Sequence, residues 1–412
     1  MSDIRVAILG FGTVGEGVYK TIESHQQELT AILGKRVEVA AVLIRNQNKV
    51  RNIGEKVLVT TDFEEILRLP KLDVVMEAIV EQEPSFTYLK KAIAKGCHII
   101  TANKEMFAHH GRELLEIATK HNVSVGFEAT VAGGIPIIQT LRQLFHVNQV
   151  QKIQGILNGT SNFILTEMRE KKQSFEAALK QAQVNGFAEA DPTNDIEGID
   201  AFYKLMILSK MAFGQEPKWN EVELQGIAKI TSEWIAFAEK FGLRFKHLAS
   251  VSKNGGQVTG SVKPVLVAKD HPFYSIEGVQ NAVNIVSDIV GSITLQGPGA
   301  GMFPTASAML EDLIFVLKNK AETRLKSKQQ GEEAANGIQQ SKGFWIAGGV
   351  HKKRTIHSIH WLRELKDGCY LLKASAEEIA ALAEHNEGLL TFPVYGNVEN
   401  VDQKESKLAA TL

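Results

Sequence analysis

The feature that most constrains the fold of this chain is a glycine-rich turn near its amino-terminal end. Residues 4–9 (IRVAIL) form a short apolar run, which is typical of a strand buried on both faces. A G-x-G-x-x-G spacing follows directly at Gly10, Gly12 and Gly15, and helical periodicity begins after Val14. In this context the glycines permit a tight turn, the approach of a pyrophosphate and close helix–strand packing. We therefore predict a dinucleotide site, with a glycine-rich turn that binds no ligand as the alternative.

Further apolar runs continue this pattern along the amino-terminal part of the chain. They lie at 37–44, 73–80, 97–101 and 123–128, and helical patterns cover about 85–95 and 104–120. Because strands and helices alternate, we predict an α/β domain with a Rossmann-type, doubly wound parallel sheet. The residues of the first turn that we expect to contact the dinucleotide are Gly10, Phe11, Gly12, Thr13, Val14 and Gly15.

After Pro136 the pattern changes to strands grouped beside long helices, which indicates an α+β second domain with an open sheet. The predicted helices are 135–145, 174–184, 196–213 and 220–241, and the predicted strands are 150–157, 246–251, 257–267 and 290–296. We expect a cofactor domain over 1–136 with a return helix at about 302–318, and a substrate and dimerisation domain over 137–301. A polar linker (319–343) and a small carboxy-terminal module (344–412) should follow.

Charge and cysteine content restrict the location and the partners of the protein. The chain has 46 Lys and Arg against 47 Asp and Glu, so nothing favours a nucleic-acid partner or an acidic membrane. Two cysteines far apart, Cys97 and Cys369, make a disulfide framework unexpected. Charges at Asp3 and Arg5 argue against a signal peptide, and no apolar run has the length of a membrane span. We expect a cytoplasmic protein that acts on small molecules.

Arg45 bears on which dinucleotide is bound. An NAD site usually has an acid at the end of the second strand, where it accepts a hydrogen bond from the ribose 2′-hydroxyl. Here that strand ends in Leu43, Ile44 and Arg45, and a guanidinium can pair with a 2′-phosphate. The sequence therefore favours NADP, although NAD remains possible. The alternative is that Arg45 is an ordinary solvated arginine or stacks on the adenine.

Asp200 and Lys204 form a second candidate site. They are four residues apart in a helical pattern, and so share one face, after an acid-rich loop at 185–195. The neighbouring residues are largely apolar, and a lysine beside a carboxylate near an apolar wall is a candidate acid–base group. A surface ion pair on an amphipathic helix is the alternative.

Six sequence blocks resemble the homoserine dehydrogenase family, and they occur in the family's order. They are GFGTVG (10–15), TANK (101–104), EATVAGGIP (128–136), GILNGTSNFIL (155–165), NGFAEADPTNDIEGIDAFYKL (185–205) and GPGAGMFPTASA (297–308). The resemblance covers roughly residues 4–315. It is to the monofunctional form, because no aspartate kinase domain precedes these blocks.

The resemblance implies the reversible, NADPH-dependent reduction of L-aspartate 4-semialdehyde to L-homoserine, in threonine and methionine biosynthesis. It makes Lys204 the proton donor to the aldehyde oxygen and places Lys104 close to the nicotinamide. The implied substrate residues are Glu189, Asp195, Asp200, Gly159 and Thr160, of which Glu189 suits an α-ammonium group. Further implied cofactor contacts are Ala102, Lys104, Gly186 and Gly301. These residue types suit the chemistry, because an ammonium can stabilise the negative charge on oxygen as hydride arrives.

The resemblance also implies a monovalent-cation site, a homodimer and a carboxy-terminal regulatory module. The cation, usually described as sodium, would be held by Glu128 and by the carbonyls of Val131, Gly133 and Ile135. An all-oxygen donor set with one formal charge suits a hard cation that is not tightly bound. The carboxy-terminal residues depart from an ACT domain, since no Pro-Gly turn follows the predicted strand 370–373. We therefore expect a degenerate or truncated ACT domain without feedback by threonine, or alternatively an oligomerisation element. A dehydrogenase for another small amino acid, or a cofactor-sensing regulator without catalysis, are the alternative functions.

Overall fold

The first sheet of the protein has six parallel strands. The computed structural model describes residues 3–318, 342–351, 358–366 and 368–398. The elements of its amino-terminal part are β1 (Ile4–Leu9), α1 (Thr13–Ser24), α2 (Gln26–Leu33), β2 (Val37–Leu43), β3 (Leu58–Thr60), α3 (Phe63–Leu67), β4 (Val74–Glu77), α4 (Gln82–Ala94), β5 (His98–Thr101), α5 (Lys104–Lys120) and β6 (Val125–Gly126). The strand order is β3-β2-β1-β4-β5-β6. The order reverses between β1 and β4, which confirms the doubly wound parallel sheet.

The second sheet has ten strands of mixed direction, which confirms an α/β chain with a further open sheet. The remaining elements are α6 (Ile137–Leu144), β7 (Val150–Ile156), α7 (Gly159–Glu170), α8 (Phe175–Val184), α9 (Thr193–Ile196), α10 (Ile199–Phe213), β8 (Glu223–Leu224), α11 (Ser232–Lys240), β9 (Arg244–Asn254), β10 (Gln257–Val267), β11 (Gln280–Ser287), β12 (Ser292–Pro298), α12 (Met302–Lys318), β13 (Gly343–Gly348), β14 (His360–Lys366), β15 (Cys369–Ala374), α13 (Ala376–Glu384) and β16 (Leu390–Tyr395).

The described residues divide into two compact units. The first contains 3–153, 202–217 and 281–318, and the second contains 154–201, 218–280 and the described residues from 342 onwards. These units differ from the domain boundaries expected from the sequence, because 137–153, 202–217 and 281–301 fall in the same compact unit as the nucleotide-binding sheet, although β11 and β12 are strands of the second sheet. The boundary at residue 201 falls inside α10. Most of the expected linker, 319–341, lies outside the described residues.

In the first unit, α12 packs against the nucleotide-binding sheet and its helices. Met309 and Leu313 of α12 are buried with Ile8 of β1 and Met76 of β4 in one apolar cluster. A Cβ atom on Gly17 of α1 would lie 2.6 Å from the side chain of Met302, so glycine is needed for this close approach. The helix at 302–318 therefore completes the core of this unit.

In the second unit, the carboxy-terminal strands continue the sheet that β9 and β10 begin. β16 pairs in parallel with β10, where Val394 lies opposite Leu266, and β13 and β15 extend the sheet in antiparallel fashion. Helix α13 begins at the capping box of Ser375 and Glu378. Nowhere in the described ranges is there a helix with the length and apolar character needed to cross a membrane.

One predicted helix is wrong and several elements were missed. The segment 220–241 forms the short strand β8 and the helix α11 instead of one long helix. Its first part is extended because Gln225 N donates to the Val262 carbonyl (2.8 Å) of β10. A Cβ on Gly226 would also lie 2.7 Å from the Ile196 carbonyl oxygen, so the chain there fits closely against α9. The sequence analysis identified neither α7 nor β11.

Candidate active site

The glycine-rich turn has the geometry of a phosphate-binding loop. Gly10 has a φ of +88°, and a Cβ there would lie 2.7 Å from the Ala78 carbonyl oxygen. A Cβ on Gly15 would lie 1.9 Å from the Gly10 carbonyl oxygen, so α1 packs directly on the turn. By contrast, nothing lies within 4 Å of a Cβ on Gly12, and no side chain caps α1 there. The first amides of α1 are thus open to an anion.

Arg45 is the exposed residue that follows β2 and Ile44. Within the described part of the chain, its guanidinium has no hydrogen-bond or ion-pair partner. Arg51 differs, because its guanidinium donates to the carbonyls of Asn46 (2.8 Å) and Lys49 (2.7 Å) and holds the loop. Of these two arginines, Arg45 is therefore the one that can pair with a ligand.

The turn from Thr101 to Lys104 joins β5 to α5. Asn103 caps α5, since its Oδ1 accepts from Met106 N (3.0 Å), and Lys104 is the first, exposed residue of the helix. Ala102 N donates to the backbone carbonyl of Glu77 (3.0 Å). The Thr101 hydroxyl donates to the Glu77 carboxylate (2.5 Å). Glu77 was not among the site residues predicted from the sequence, although a charged residue inside the apolar run 73–80 indicates a possible functional group.

Asn158 organises the acidic residues of the second unit, and the sequence analysis also missed it. Its Nδ2 donates to Asp195 Oδ1 (2.7 Å) and to Asp200 Oδ2 (2.9 Å). Its Oδ1 accepts from Ser161 N (2.8 Å) and so caps α7. One amide therefore holds two of the expected substrate residues. Because Asn158 directly precedes Gly159, an expected substrate residue, the sequence could have indicated Asn158 as a site residue.

The expected residues around Asn158 are arranged by the same helix cap. Gly159 and Thr160 form the first turn of α7, and the Thr160 hydroxyl donates to the Phe187 carbonyl (2.6 Å). Gly186 has a φ of +73° with open space beside it, and Glu189 is exposed. The structure thus brings Asp195, Asp200, Gly159 and Thr160 together in the second unit, with Gly186 and Glu189 on the loop they hold.

Lys204 and Asp200 are one turn apart on α10, and neither is at the surface. Asp200 is 4% exposed and Lys204 is 8% exposed, which excludes the interpretation as a solvated surface ion pair. In the first unit, Tyr203 lies against His109 of α5 with ring centroids 5.6 Å apart. Met206 of α10 and Phe107 of α5 line one small cavity. The helix that carries Lys204 is therefore packed against the helix that begins at Lys104.

The residues of the expected cation site form the turn before α6. Both oxygens of the Glu128 carboxylate accept backbone hydrogen bonds from the start of α6, from Ile138 N (2.8 Å) and Gln139 N (2.7 Å). Burial and the nearby Asp312 raise the pKa of Glu128 to about 8. Glu128 thus acts as a helix cap, so a cation would depend mainly on the backbone carbonyls.

Two carbonyls of this turn have oxygen atoms to offer to a cation. Val131 and Gly133 are buried, and across the described ranges no hydrogen bond is donated to their carbonyl oxygens. The Ile135 carbonyl accepts from Ile137 N (2.7 Å). The described residues contain no cluster of three or more His, Cys, Asp or Glu side chains that could hold a metal. A set of backbone carbonyl oxygens with one carboxylate beside them fits a monovalent cation better than a transition metal.

Gly301 stands at the start of α12, with a φ of +115°. Its carbonyl accepts from Thr305 N (3.1 Å), and Gly134 N donates to the Pro298 carbonyl (3.0 Å). A Cβ on Gly133 would lie 2.6 Å from the Gly299 carbonyl oxygen. Within the first unit, the turn before α12 and the turn before α6 are therefore in contact.

Comparisons with known proteins show the family to which the chain is similar. The family described as homoserine dehydrogenase matches residues 136–314, and the NAD-binding domain of homoserine dehydrogenase matches residues 10–128. The chain is 40% identical to the homoserine dehydrogenase of Bacillus subtilis over 320 residues, which are 77% of this chain and 74% of the relative. It is 41% identical to that of Neisseria gonorrhoeae over 318 residues, 77% of this chain and 73% of the relative.

Solved structures extend the similarity over nearly the whole chain. A homoserine dehydrogenase from Thiobacillus denitrificans superposes with a TM-score of 0.85 at 32% identity, over 96% of this chain and 99% of that chain. A hyperthermophilic archaeal homoserine dehydrogenase in complex with NADPH has a TM-score of 0.66 at 29% identity, over 76% of this chain and 98% of that chain. The first of these similarities includes the carboxy-terminal strands.

Proposed function

The chain belongs to the homoserine dehydrogenase family, and from that premise we propose which of its residues carry out each part of the reaction. Its activity is the NAD(P)-dependent interconversion of aspartate semialdehyde and homoserine. We propose that NADPH is the preferred cofactor and that it supplies the hydride when bound. The observation that carries the proposal is a buried lysine, Lys204, one turn after a carboxylate that a buried amide holds in place.

Lys204 is the proton donor in this proposal. As hydride reaches the aldehyde carbon, negative charge develops on the aldehyde oxygen, and a buried ammonium stabilises that charge more than a solvated one does. Lys204 then gives its proton to the oxygen, and in the reverse direction it accepts the proton of the homoserine hydroxyl. Asp200 orients the reacting group on the same helix. Lys104 supplies a second positive charge near the nicotinamide.

The substrate's amino-acid end is held by the acidic loop. Glu189 is exposed, and its carboxylate has no partner among the described residues, so it is available to an α-ammonium group. Asp195 accepts a hydrogen bond from Asn158 Nδ2 (2.7 Å), which fixes its position. Gly159 and Thr160, the first residues of α7, contact the substrate in this proposal. These groups bind and orient the substrate, which lowers the entropic cost of reaching the reactive geometry.

The nucleotide lies on the first unit in this proposal. Its pyrophosphate takes the open amides after Gly12, and Arg45 pairs with the 2′-phosphate because its guanidinium is exposed and otherwise unpaired among the described residues. Ala102 and Lys104 contact the nicotinamide end, as does Gly301. The archaeal relative in complex with NADPH supports the same choice of cofactor.

We also propose a structural cation, a homodimer, and separate cofactor-binding and substrate-binding regions along the chain. A monovalent cation such as sodium is held by the carbonyls of Val131, Gly133 and Ile135, with Glu128 beside them. Residues 1–136 together with α12 bind the cofactor, and residues 137–301 bind the substrate and form the dimer. The support for the cation is the pair of buried carbonyls that accept no hydrogen bond in the described part of the protein.

The test follows NADPH oxidation with aspartate semialdehyde for the wild type and for Lys204→Ala. We expect the variant to lose most turnover while its NADPH affinity, measured by fluorescence titration, stays unchanged. Lys210→Ala is the matched control, because Lys210 is on the same helix but pairs with Glu216 (3.2 Å), and it should retain turnover. Near-normal turnover by Lys204→Ala would refute the assignment. A wild type without turnover at any salt concentration would refute the activity.

A further inference from the structure

Glu77 is a fully buried carboxyl group at the carboxyl end of β4, a central strand of the nucleotide-binding sheet. It is the last residue of β4, and it lies opposite Leu9 of β1 and Thr101 of β5 in the strand register. The strand order reverses at β1 and β4, and ligands of such sheets bind outside the carboxyl ends of the strands at this point. Glu77 therefore lies at the end of the sheet where the cofactor is expected to bind.

The Glu77 carboxylate accepts hydrogen bonds from neutral donors only. Oε1 accepts from Ile79 N (2.5 Å) and from the Ser85 hydroxyl (3.1 Å), and Oε2 accepts from the Thr101 hydroxyl (2.5 Å). In the described part of the chain no charged side chain pairs with it, and burial raises the pKa of Glu77 to about 7. A buried acid without a counter-ion costs stability, so a role in the fold alone does not explain it.

The charged residues on the neighbouring segments are Glu81 and Glu83, where α4 begins, and Lys104 and Glu105, at the start of α5. Glu81, Glu83 and Lys104 are exposed and Glu105 is half-buried. Burial is the largest cause of the shift in the pKa of Glu77 and raises it, whereas the hydrogen bonds from Thr101, Ile79 N, Ser85 and Asn103 lower it.

From Glu77 a series of hydrogen bonds leads to Asn103, the residue before Lys104. The Thr101 hydroxyl donates to Glu77 and accepts from Asn103 N (3.0 Å). The Asn103 side chain donates to the Glu81 carbonyl (2.9 Å) and caps α5 by accepting from Met106 N (3.0 Å). Lys104 is the next residue. These bonds fix the four-residue turn from Thr101 to Lys104, which contains two of the expected contacts to the nicotinamide, Ala102 and Lys104.

We propose that Glu77 is a positioning residue for the reaction: its carboxylate sets the direction of the Thr101 hydroxyl and so holds the turn that presents Lys104. The inference rests on the role proposed above for Lys104. An ionised Glu77 makes the Thr101 hydroxyl donate to it, which leaves the Thr101 oxygen free to accept from Asn103 N. If Oε2 is protonated, or is replaced by the amide nitrogen of a glutamine, that group donates to the Thr101 hydroxyl oxygen instead. The Thr101 hydroxyl proton then has to point in another direction.

The substitution Glu77→Gln tests this directly, because glutamine has the same shape and imitates the protonated acid at every pH. We expect kcat to fall by about tenfold to a hundredfold at pH 8, the range for a small misplacement of a reacting group. The KM for NADPH should stay within about threefold, because the glycine-rich turn is untouched. The ratio of wild-type kcat to variant kcat should narrow as the pH falls through about 7, where the wild type itself takes up the proton.

Three further variants separate positioning from a general effect on the fold. Thr101→Val removes the hydroxyl and should lower kcat as Glu77→Gln does, whereas Thr101→Ser keeps it and should restore most of kcat. Ser85→Ala is the matched control, because Ser85 also donates to Glu77 but is not part of the series that leads to Asn103. It should lower the melting temperature slightly and leave kcat within about twofold.

The inference is overturned if Glu77→Gln has the kcat and pH profile of the wild type, or if it lowers only the melting temperature. It is also overturned if Thr101→Ser is as impaired as Thr101→Val, and this pair decides the question even if Glu77→Gln does not fold. Lys104→Ala separates the two proposals. If Lys104→Ala turns over normally, the role of Lys104 fails and the inference fails with it. If Lys104→Ala is impaired and Glu77→Gln is not, the inference alone fails.

Discussion

The substitution Asn158→Asp replaces the amide that holds Asp195 and Asp200 with a third carboxylate. In the wild type, Asn158 Nδ2 donates to Asp195 at 2.7 Å and to Asp200 at 2.9 Å. Aspartate has the same shape and keeps the oxygen that accepts from Ser161 N, so the cap of α7 survives. Only the two donated bonds are lost, and three carboxyl groups then share one buried site.

The size of the effect follows from these contacts. A hydrogen bond to a charged group contributes about 1.5–3 kcal/mol, so the two lost bonds together are worth roughly 3–6 kcal/mol if nothing relaxes. Carboxylates this close cannot all stay ionised, and one of them takes up a proton and donates a hydrogen bond in place of the amide. This relaxation limits the loss. We therefore expect kcat/KM for homoserine to fall by about a hundredfold at pH 8, which corresponds to roughly 3 kcal/mol.

The assay measures kcat/KM for homoserine oxidation from pH 6 to pH 8.5 for the wild type and for Asn158→Asp. The deficit of the variant should shrink as the pH falls, since lower pH favours the protonated carboxyl that restores one donor. Asn148→Asp is the control, because Asn148 Oδ1 accepts from Val290 N (3.0 Å) and from the Ser287 hydroxyl (3.4 Å), and aspartate keeps both bonds. A deficit that is independent of pH, or wild-type kinetics in Asn158→Asp, would show that the amide does not hold these carboxylates for catalysis.

Two further predictions concern the cofactor and acid stability. Arg45→Asp should lower the ratio of NADP affinity to NAD affinity by about tenfold or more, because it replaces an attraction to the 2′-phosphate with a repulsion. An unchanged ratio in fluorescence titrations would refute this role of Arg45. Burial lowers the pKa of His247 from its usual 6.5 to about 4, and its Nε2 contacts the Gln225 carbonyl at 2.9 Å. As the pH falls, the unfolded chain takes up a proton on this histidine at a higher pH than the folded protein does. This difference should lower the free energy of unfolding by up to about 3 kcal/mol as the pH falls from 6.5 to 4. In urea unfolding, His247→Gln should reduce this loss, whereas His121→Gln, at an exposed site, should leave it unchanged.

Much of the secondary structure could be predicted because local patterns decide it. The strand at 257–267 and the helix at 104–120 were predicted with the bounds that β10 and α5 have. Helix α13 likewise begins at a local signal in the sequence, the capping box of Ser375 and Glu378. Each of these signals acts within a few residues, through side-chain periodicity or a cap, and so does not depend on the rest of the fold.

The prediction failed where distant residues decide the local structure. The segment 220–241 has helical composition, but its first part is held extended by the bond from Gln225 N to the Val262 carbonyl. Helix propensity is a weak preference, and pairing along a strand overrides it. Nothing in the sequence of that segment shows that a strand will lie beside it.

The glycine spacing of Gly10, Gly12 and Gly15 directly after an apolar run predicted a nucleotide-binding turn from the sequence alone, because this spacing is what a tight strand-to-helix turn at a pyrophosphate requires. The order of the six motifs determined the family and the identities of the expected site residues. Only the tertiary structure decided what holds those residues. Glu77 and Thr101 are 24 residues apart, and Asn158 and Asp200 are 42 apart. A hydrogen bond between such residues exists only after the sheet and the helices have formed, because the folded backbone alone brings a buried donor to its acceptor.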